Sequence, residues 1–328
     1  CYSSVPDLCV YTQEQKASRW AGLKQNHIFV HNRKSQTGNQ KLLKLSRPLL
    51  LLLTALAYLL GASISAYLGK SFQNLAFLLG LGYILLAQVS MNLLAEAFRP
   101  HNEPMIEGET PAQKEVLRSN LLYISYAALT ACAMIAFLLY FNHSLNLFSF
   151  LFLLLSFVLV VVYAVPPLRF LERGFGELAL AVHMAYVAPS IGFLLQAKEN
   201  HRLLIIIALP LTALALAYFL ILNFTSFPSD QKYQRATLLR RLGWETAVPL
   251  HHSLIIFAYV IFLCSPIFGY SFLLIWPAFL TLPFAILQML LLRHISLGGK
   301  PNWPLLTTTA LAVFGLTAYV LTLTFWMR

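Results

Sequence analysis

Residues 146–177 read NLFSFLFLLLSFVLVVVYAVPPLRFLERGFGE. The stretch 146–164 carries no charge, and two prolines and the cations Arg169 and Arg173 then follow at once. A hydrocarbon core is crossed by roughly 20 apolar residues of helix. With no water in that core, each backbone N–H and C=O must be paired within the segment, so such a run is a helix. The same pattern recurs along the chain and predicts crossings at 47–68, 73–98, 118–140, 146–164, 176–197, 203–223, 246–265, 270–292 and 304–327. Composition agrees, with 59% hydrophobic and 11% charged residues. The expected fold is all-α, a polytopic membrane protein with nine transmembrane helices in one bundle around a central cavity. Residues 1–45 are expected to be a polar, basic, cytoplasmic and partly disordered tail, and 46–328 the membrane domain.

Charge gives the orientation. Nine crossings put the termini on opposite sides. Nineteen of the 23 Lys and Arg then fall on the N-terminal side, leaving Lys70, Lys198, Arg202 and Arg328 opposite. Basic loops stay cytoplasmic, so the N-terminus is expected inside, in a bacterial cytoplasmic membrane. The net charge of +11 is thus explained by topology and by attraction to anionic headgroups of the bilayer. No nucleic-acid partner is implied. The cysteines form no CxxC pair and no metal-ligand spacing with histidine. The first 40 residues hold no apolar h-region, so no cleavable signal peptide is expected there.

Two connections on the basic side are long, Arg99 to Leu117 and Phe224 to Trp244. Long loops of this kind are more often functional than not. The first follows Asn92, Glu96 and Arg99, which share one helix face. Ionisable groups at a membrane helix end are functional candidates, although Glu96 paired with Arg99 is the plain alternative. Pro100 is expected to end that helix, which puts Glu103 on the loop. The second loop holds a single carboxylate, Asp230, flanked by Lys232 and Arg235 and preceded by Asn223. Between the fourth and fifth helices, Pro166 and Pro167 stop one helix, and Gly174 and Gly176 permit a sharp re-entry. The fifth helix then offers its N-terminal dipole end to an anion, with Arg169 and Arg173 beside it. Arginine suits phosphate because its planar fork donates two parallel hydrogen bonds. Membrane anchoring is the competing use of these cations. His183, within the fifth helix, is either a cavity residue or a packing hydrogen bond.

Tyr163-x-x-Pro166-Pro167-Leu168-Arg169, then Arg173-Gly174-x-Gly176-Glu177, then Asp230-x6-Thr237-Leu238-x-x-Arg241-Leu242-Gly243, with Ser46-Arg47-Pro48 at the first helix, resemble the UbiA superfamily of intramembrane prenyltransferases. The branch it is most similar to acts on 1,4-dihydroxy-2-naphthoate in menaquinone synthesis. The similarity runs from about Leu45 to the C-terminus. In that family two aspartate-rich motifs hold Mg²⁺, which holds the diphosphate of the prenyl donor. The first motif, Asn-Asp-x-x-Asp-x-x-x-Asp, falls here on Ala95, Glu96, Arg99 and Glu103. The second, Asp-x-x-x-Asp, falls on Ser226 and Asp230, and the family's Gly-Lys before Thr-Leu falls on Gln234-Arg235.

The resemblance implies a prenyltransferase that moves an isoprenyl group from a prenyl diphosphate to an aromatic acceptor. Glu96 and Asp230 are expected to be catalytic. Glu96, Glu103 and Asp230 are the expected Mg²⁺ ligands. Arg99, Arg169, Arg173, Lys232, Arg235, Asn92, Asn223 and Tyr163 are expected to bind the diphosphate. Arg99 and Ser226, standing where the family has aspartate, keep open a second reading. In that reading the protein has lost catalysis and binds an isoprenoid or quinone, or serves as a membrane partner. A transporter is remote, since no paired broken helices flank a midplane ionisable site.

Overall fold

The first helix begins at a proline, whose missing N–H costs nothing in a first turn that has no intrahelical acceptor anyway. The structure, a computed structural model, describes residues 45–100, 102–105 and 109–328. The expected tail lies almost wholly outside them. Among the described residues nine helices are long and apolar enough to cross a membrane, and no strand occurs. They are α1 (Pro48–Tyr67), α2 (Asn74–Ala97), α3 (Pro111–Phe141), α4 (Leu147–Ala164), α5 (Gly176–Ala197), α6 (Arg202–Lys232), α7 (Trp244–Leu263), α8 (Phe272–Ser296) and α9 (Trp303–Met327).

Two boundaries depart most from expectation, and α8 also runs on to Ser296, not 292. Helix α3 starts at Pro111, not 118, because Thr110 caps it. The Thr110 hydroxyl accepts from Gln113 N, and the Gln113 side chain accepts from Thr110 N, both at 3.3 Å. Such a reciprocal cap satisfies two otherwise orphaned donors. Helix α6 runs on to Lys232, not 223. Its polar end stays helical because Asn223, Ser226 and Asp230 recur on one face and each finds a partner there.

The layering follows from burial. In α5 and α6, 83% and 78% of the apolar window is inside the bundle, against 28% in α3. Helices α1 and α2 pack around that pair, while α3, α4 and α7 turn Tyr123, Phe137, Leu154 and Leu263 outward. In a bilayer those side chains face lipid. Small residues bring α1 and α5 together, as expected where helices associate without a hydrophobic drive. A Cβ on Gly61 would lie 1.8 Å from the Pro189 carbonyl oxygen, and one on Gly192 would lie 2.3 Å from that of Tyr58.

Cross-loop bonds confirm that the connections alternate between two ends. At the end bearing most of the arginines, Arg118 donates to the Arg99 carbonyl at 2.7 Å and Arg241 to that of Arg173 at 2.9 Å. At the other end Lys70 pairs with Glu199 at 2.6 Å, and Lys198 Nζ donates to the His143 carbonyl at 3.2 Å. The α4–α5 turn contains a cis Pro166–Pro167 bond and Gly174 at φ +73. Gly176 serves packing and not turning, since a Cβ there would meet Leu171 Cα at 3.0 Å.

Candidate functional site

Helix α2 carries Gln88, Asn92 and Glu96 at successive i, i+4 positions, all buried. Gln88 Nε2 donates to Asn92 Oδ1 at 3.0 Å, and Asn92 Nδ2 donates to the Ser46 carbonyl at 2.8 Å. The next residue, Arg47, sits at φ +52. That left-handed backbone is disfavoured for a side chain with a Cβ, by roughly 1–2 kcal/mol. Arg47 Nη2 then reaches Glu96 Oε1 at 2.9 Å.

From Glu96 the charges alternate. Arg99 pairs with Glu96 Oε2, and its Nη1 lies 3.1 Å from Glu103 Oε1. Arg235 Nε donates to Glu103 Oε2 at 2.8 Å, its Nη2 pairs with Glu103 Oε1, and its Nη1 donates to Asp230 Oδ1 at 3.1 Å. Ser226 Oγ closes the row on Asp230 Oδ2 at 2.7 Å. The result is a ladder, Arg47–Glu96–Arg99–Glu103–Arg235–Asp230, assembled at the basic end from the N-cap of α1, α2, the α2–α3 connection, α6 and the α6–α7 connection. The carboxylates are nearly inaccessible at 3%, 2% and 1% exposure. Burial, with the Arg99 charge beside it, presses the Arg235 guanidinium down to about 10, so it stays charged at neutral pH. Burial also lowers Arg99. Arg240 Nη1 rims the ladder, donating to the Arg235 carbonyl at 2.9 Å.

The expected site residues therefore divide. Glu96, Arg99, Glu103, Asp230 and Arg235 come together. Asn92 stands one bond behind, holding Ser46. Tyr163 is buried within electrostatic reach of Arg47, Glu96 and Glu177. Asn223 turns elsewhere: its Nδ2 donates to Glu177 Oε1 at 2.6 Å, and Glu177 Oε2 accepts from Leu238 N at 3.3 Å. Glu177 thus joins α5, α6 and the short helix Leu238–Leu242. Arg169 is spent on the Phe98 carbonyl, 2.6 Å away, and on Glu172. Phe98 caps α2, so this bond satisfies a helix-end carbonyl. Arg173 donates to the Pro167 carbonyl at 3.0 Å, and Lys232 lies over the Tyr233 ring at 5.2 Å. Neither enters the ladder. A pocket of about 310 Å³ includes Arg173, Arg240 and Arg241 in its wall. His183 takes its packing role, bonded to Gln88 Oε1 and Ser156 Oγ, both at 3.0 Å.

Two ladder members were not singled out from sequence as binding groups. Arg47 was legible only as the charge before Pro48, and Ser226 only as a missing acid. The three proposed Mg²⁺ ligands do not form a metal-holding group in this arrangement. Arg99 stands between Glu96 and Glu103, and Arg235 between Glu103 and Asp230. Among the described residues no cluster of three or more His, Cys, Asp or Glu is placed to hold a metal ion. Magnesium binds through one or two carboxylates plus substrate phosphates, and here the carboxylate oxygens already face guanidinium nitrogens.

A sequence model of the UbiA prenyltransferase family matches residues 117–297, more than half of the chain. The chain belongs to the UbiA prenyltransferase family. Solved structures share this UbiA fold at low identity. A UbiA homologue from Archaeoglobus fulgidus bound to GPP and Mg²⁺ aligns over 88% of this chain and 98% of its own, at 18% identity and a TM-score of 0.58. The same homologue bound to DMAPP and Mg²⁺ covers 88% and 100%, at 17% identity and 0.58. A digeranylgeranylglyceryl phosphate synthase covers 88% and 99%, at 12% identity and 0.64. No curated protein matches the sequence.

Proposed function

We propose that this UbiA-family protein is an intramembrane prenyltransferase, moving an isoprenyl group from a prenyl diphosphate to an aromatic acceptor of the quinone-precursor kind. One observation carries the reading: Glu96, Arg99, Glu103, Asp230 and Arg235 converge from distant segments on one buried spot at a helix-bundle end. Taking charges out of water is expensive, and ionisable groups within membrane domains are kept chiefly for function. The prenyl diphosphates bound by the Archaeoglobus homologue support the substrate class. Asn92, at a polar position that precedes the first motif in the naphthoate branch, supports the aromatic acceptor. The charge bias supports a basic end that faces the cytoplasm of a bacterial cell.

In this reading the allylic C–O bond breaks heterolytically, and its electron pair leaves with diphosphate. Arginines at the ladder receive that charge, as basic clamps do for departing phosphoryl groups. The allylic cation forms a bond to an electron-rich ring carbon, and the ring proton passes to a base, for which Asp230 and Glu96 are the candidates. The connections around Arg99 and Arg235 shield the cation from water. No step is routed through a metal, because the carboxylates are engaged by guanidinium groups.

Purified protein in lipid nanodiscs, incubated with geranyl diphosphate and 1,4-dihydroxy-2-naphthoate, tests the proposal. Acceptor-dependent diphosphate release is expected, lowered by about 10²-fold in Asp230→Ala and in Glu96→Ala. Unchanged product formation in either variant removes that residue from the mechanism. The self-neutralised ladder favours one other reading, an isoprenoid or quinone binder without turnover. Binding with no diphosphate release for any phenol or naphthol would decide for it.

A further inference from the structure

We infer that the ladder recognises the diphosphate head directly through guanidinium groups, with arginine charge standing in for a divalent metal. This rests on the prenyl-diphosphate reading above and concerns how that head is held. Three arginines match three carboxylates one for one, so the ladder is neutral, and Arg240 adds a positive charge at its rim. A divalent cation meets no net negative field there, and to bind it must displace guanidinium from both sides of Glu103. An anion meets the opposite balance. Two further acids lie in reach and are held: Glu109, which acts on Arg99, accepts from Met105 N at 2.7 Å, and Glu177 is bonded to Asn223 and the Leu238 N–H.

The ladder is also open at one end. Arg47 makes a single side-chain bond among the described residues, from Nη2, and its side chain is 41% exposed while its partner Glu96 is 4% exposed. Its Nε and Nη1 donors remain for an incoming phosphoryl oxygen. A guanidinium carries five N–H donors in a fixed fork. Arg99 and Arg235, each bridging two carboxylates, can therefore turn donors to a ligand while keeping one carboxylate partner. The Asn92 bond anchors the Ser46 carbonyl beside the left-handed Arg47.

The test is equilibrium binding of geranyl diphosphate to the full chain in nanodiscs, in EDTA and in Mg²⁺. Wild type is expected to bind with affinities that agree within about threefold. Arg99→Gln and Arg235→Gln are expected to weaken binding in both conditions, each by about 10- to 100-fold, the loss of a charged hydrogen bond. Arg99→Asp is expected to bind only with Mg²⁺, because it opens the metal position that arginine fills. Arg235→Lys, which keeps charge but loses the fork, guards against a folding defect and is expected to fall between wild type and Arg235→Gln. Wild-type binding that needs Mg²⁺ overturns the inference and leaves the prenyl-diphosphate reading standing. No binding in either condition overturns the reading itself.

Discussion

Removing Arg235 exposes how the basic end is held together. Its guanidinium makes three charged contacts, two to Glu103 and one to Asp230. Both acids are almost wholly buried, at 2% and 1% exposure. Among the described residues, Arg235→Ala therefore leaves Asp230 with the Ser226 hydroxyl and the nearby Arg240 charge, and Glu103 with Arg99. Breaking a buried pair by deleting one partner costs about 3–5 kcal/mol. The Arg235 side chain is 31% exposed, so solvent screening discounts this to roughly 2–4 kcal/mol. Adding Glu103→Gln to the same chain removes the stranded charge and should recover part of the loss, with a coupling of about 1–3 kcal/mol. The assay is a double-mutant cycle of reversible unfolding in mixed detergent, followed by tryptophan fluorescence. A cycle that closes without coupling, or an Arg235→Ala loss below about 0.5 kcal/mol, the range of ordinary surface substitutions, would show that the ladder is no structural unit.

Other expectations follow from the same geometry. Gly61→Ala places a methyl 1.8 Å from the Pro189 carbonyl oxygen, so α1 and α5 must separate; the variant should lose more than about 2 kcal/mol in the same unfolding assay. Asn92→Leu removes the amide bond to the Ser46 carbonyl, next to Arg47. Geranyl diphosphate affinity should fall by about tenfold, with a smaller effect on Arg240→Gln, whose side chain only rims the ladder. Thr110→Ala deletes the α3 cap and should cost about 1 kcal/mol, read as faster amide exchange at the start of α3 with no change in ligand affinity.

The helices were legible because a bilayer leaves little choice: an uncharged run such as 146–164 can only be a helix. The start of α3 was legible in Thr110 and Gln113, three residues apart, but the end of α6 was lost where a polar residue found a partner far along the chain. The i, i+4 pair Ser226–Asp230 is a local sign that α6 continues to Lys232, but the Asn223 partner, Glu177, is 46 positions away. The acids of the site were legible as exceptions in an apolar chain. Their pairing was not, since Arg235 and Glu103 are 132 positions apart and the sequence gives no register between them. Arg169 shows the converse. It stands in the most specific motif, yet its donors go to the Phe98 carbonyl and Glu172, so its role in the described arrangement is to fasten the end of α2.

The most direct measurement is a structure of the full chain with geranyl diphosphate bound, locating its two phosphorus atoms. They are expected beside Arg47, Arg99 and Arg235, with oxygens within hydrogen-bond distance of at least two of these guanidinium groups and the apolar chain running between α1, α2 and α6. A diphosphate seated instead in the groove of Arg173 and Arg241, or at the opposite end of the bundle, would contradict the ladder as the site of recognition.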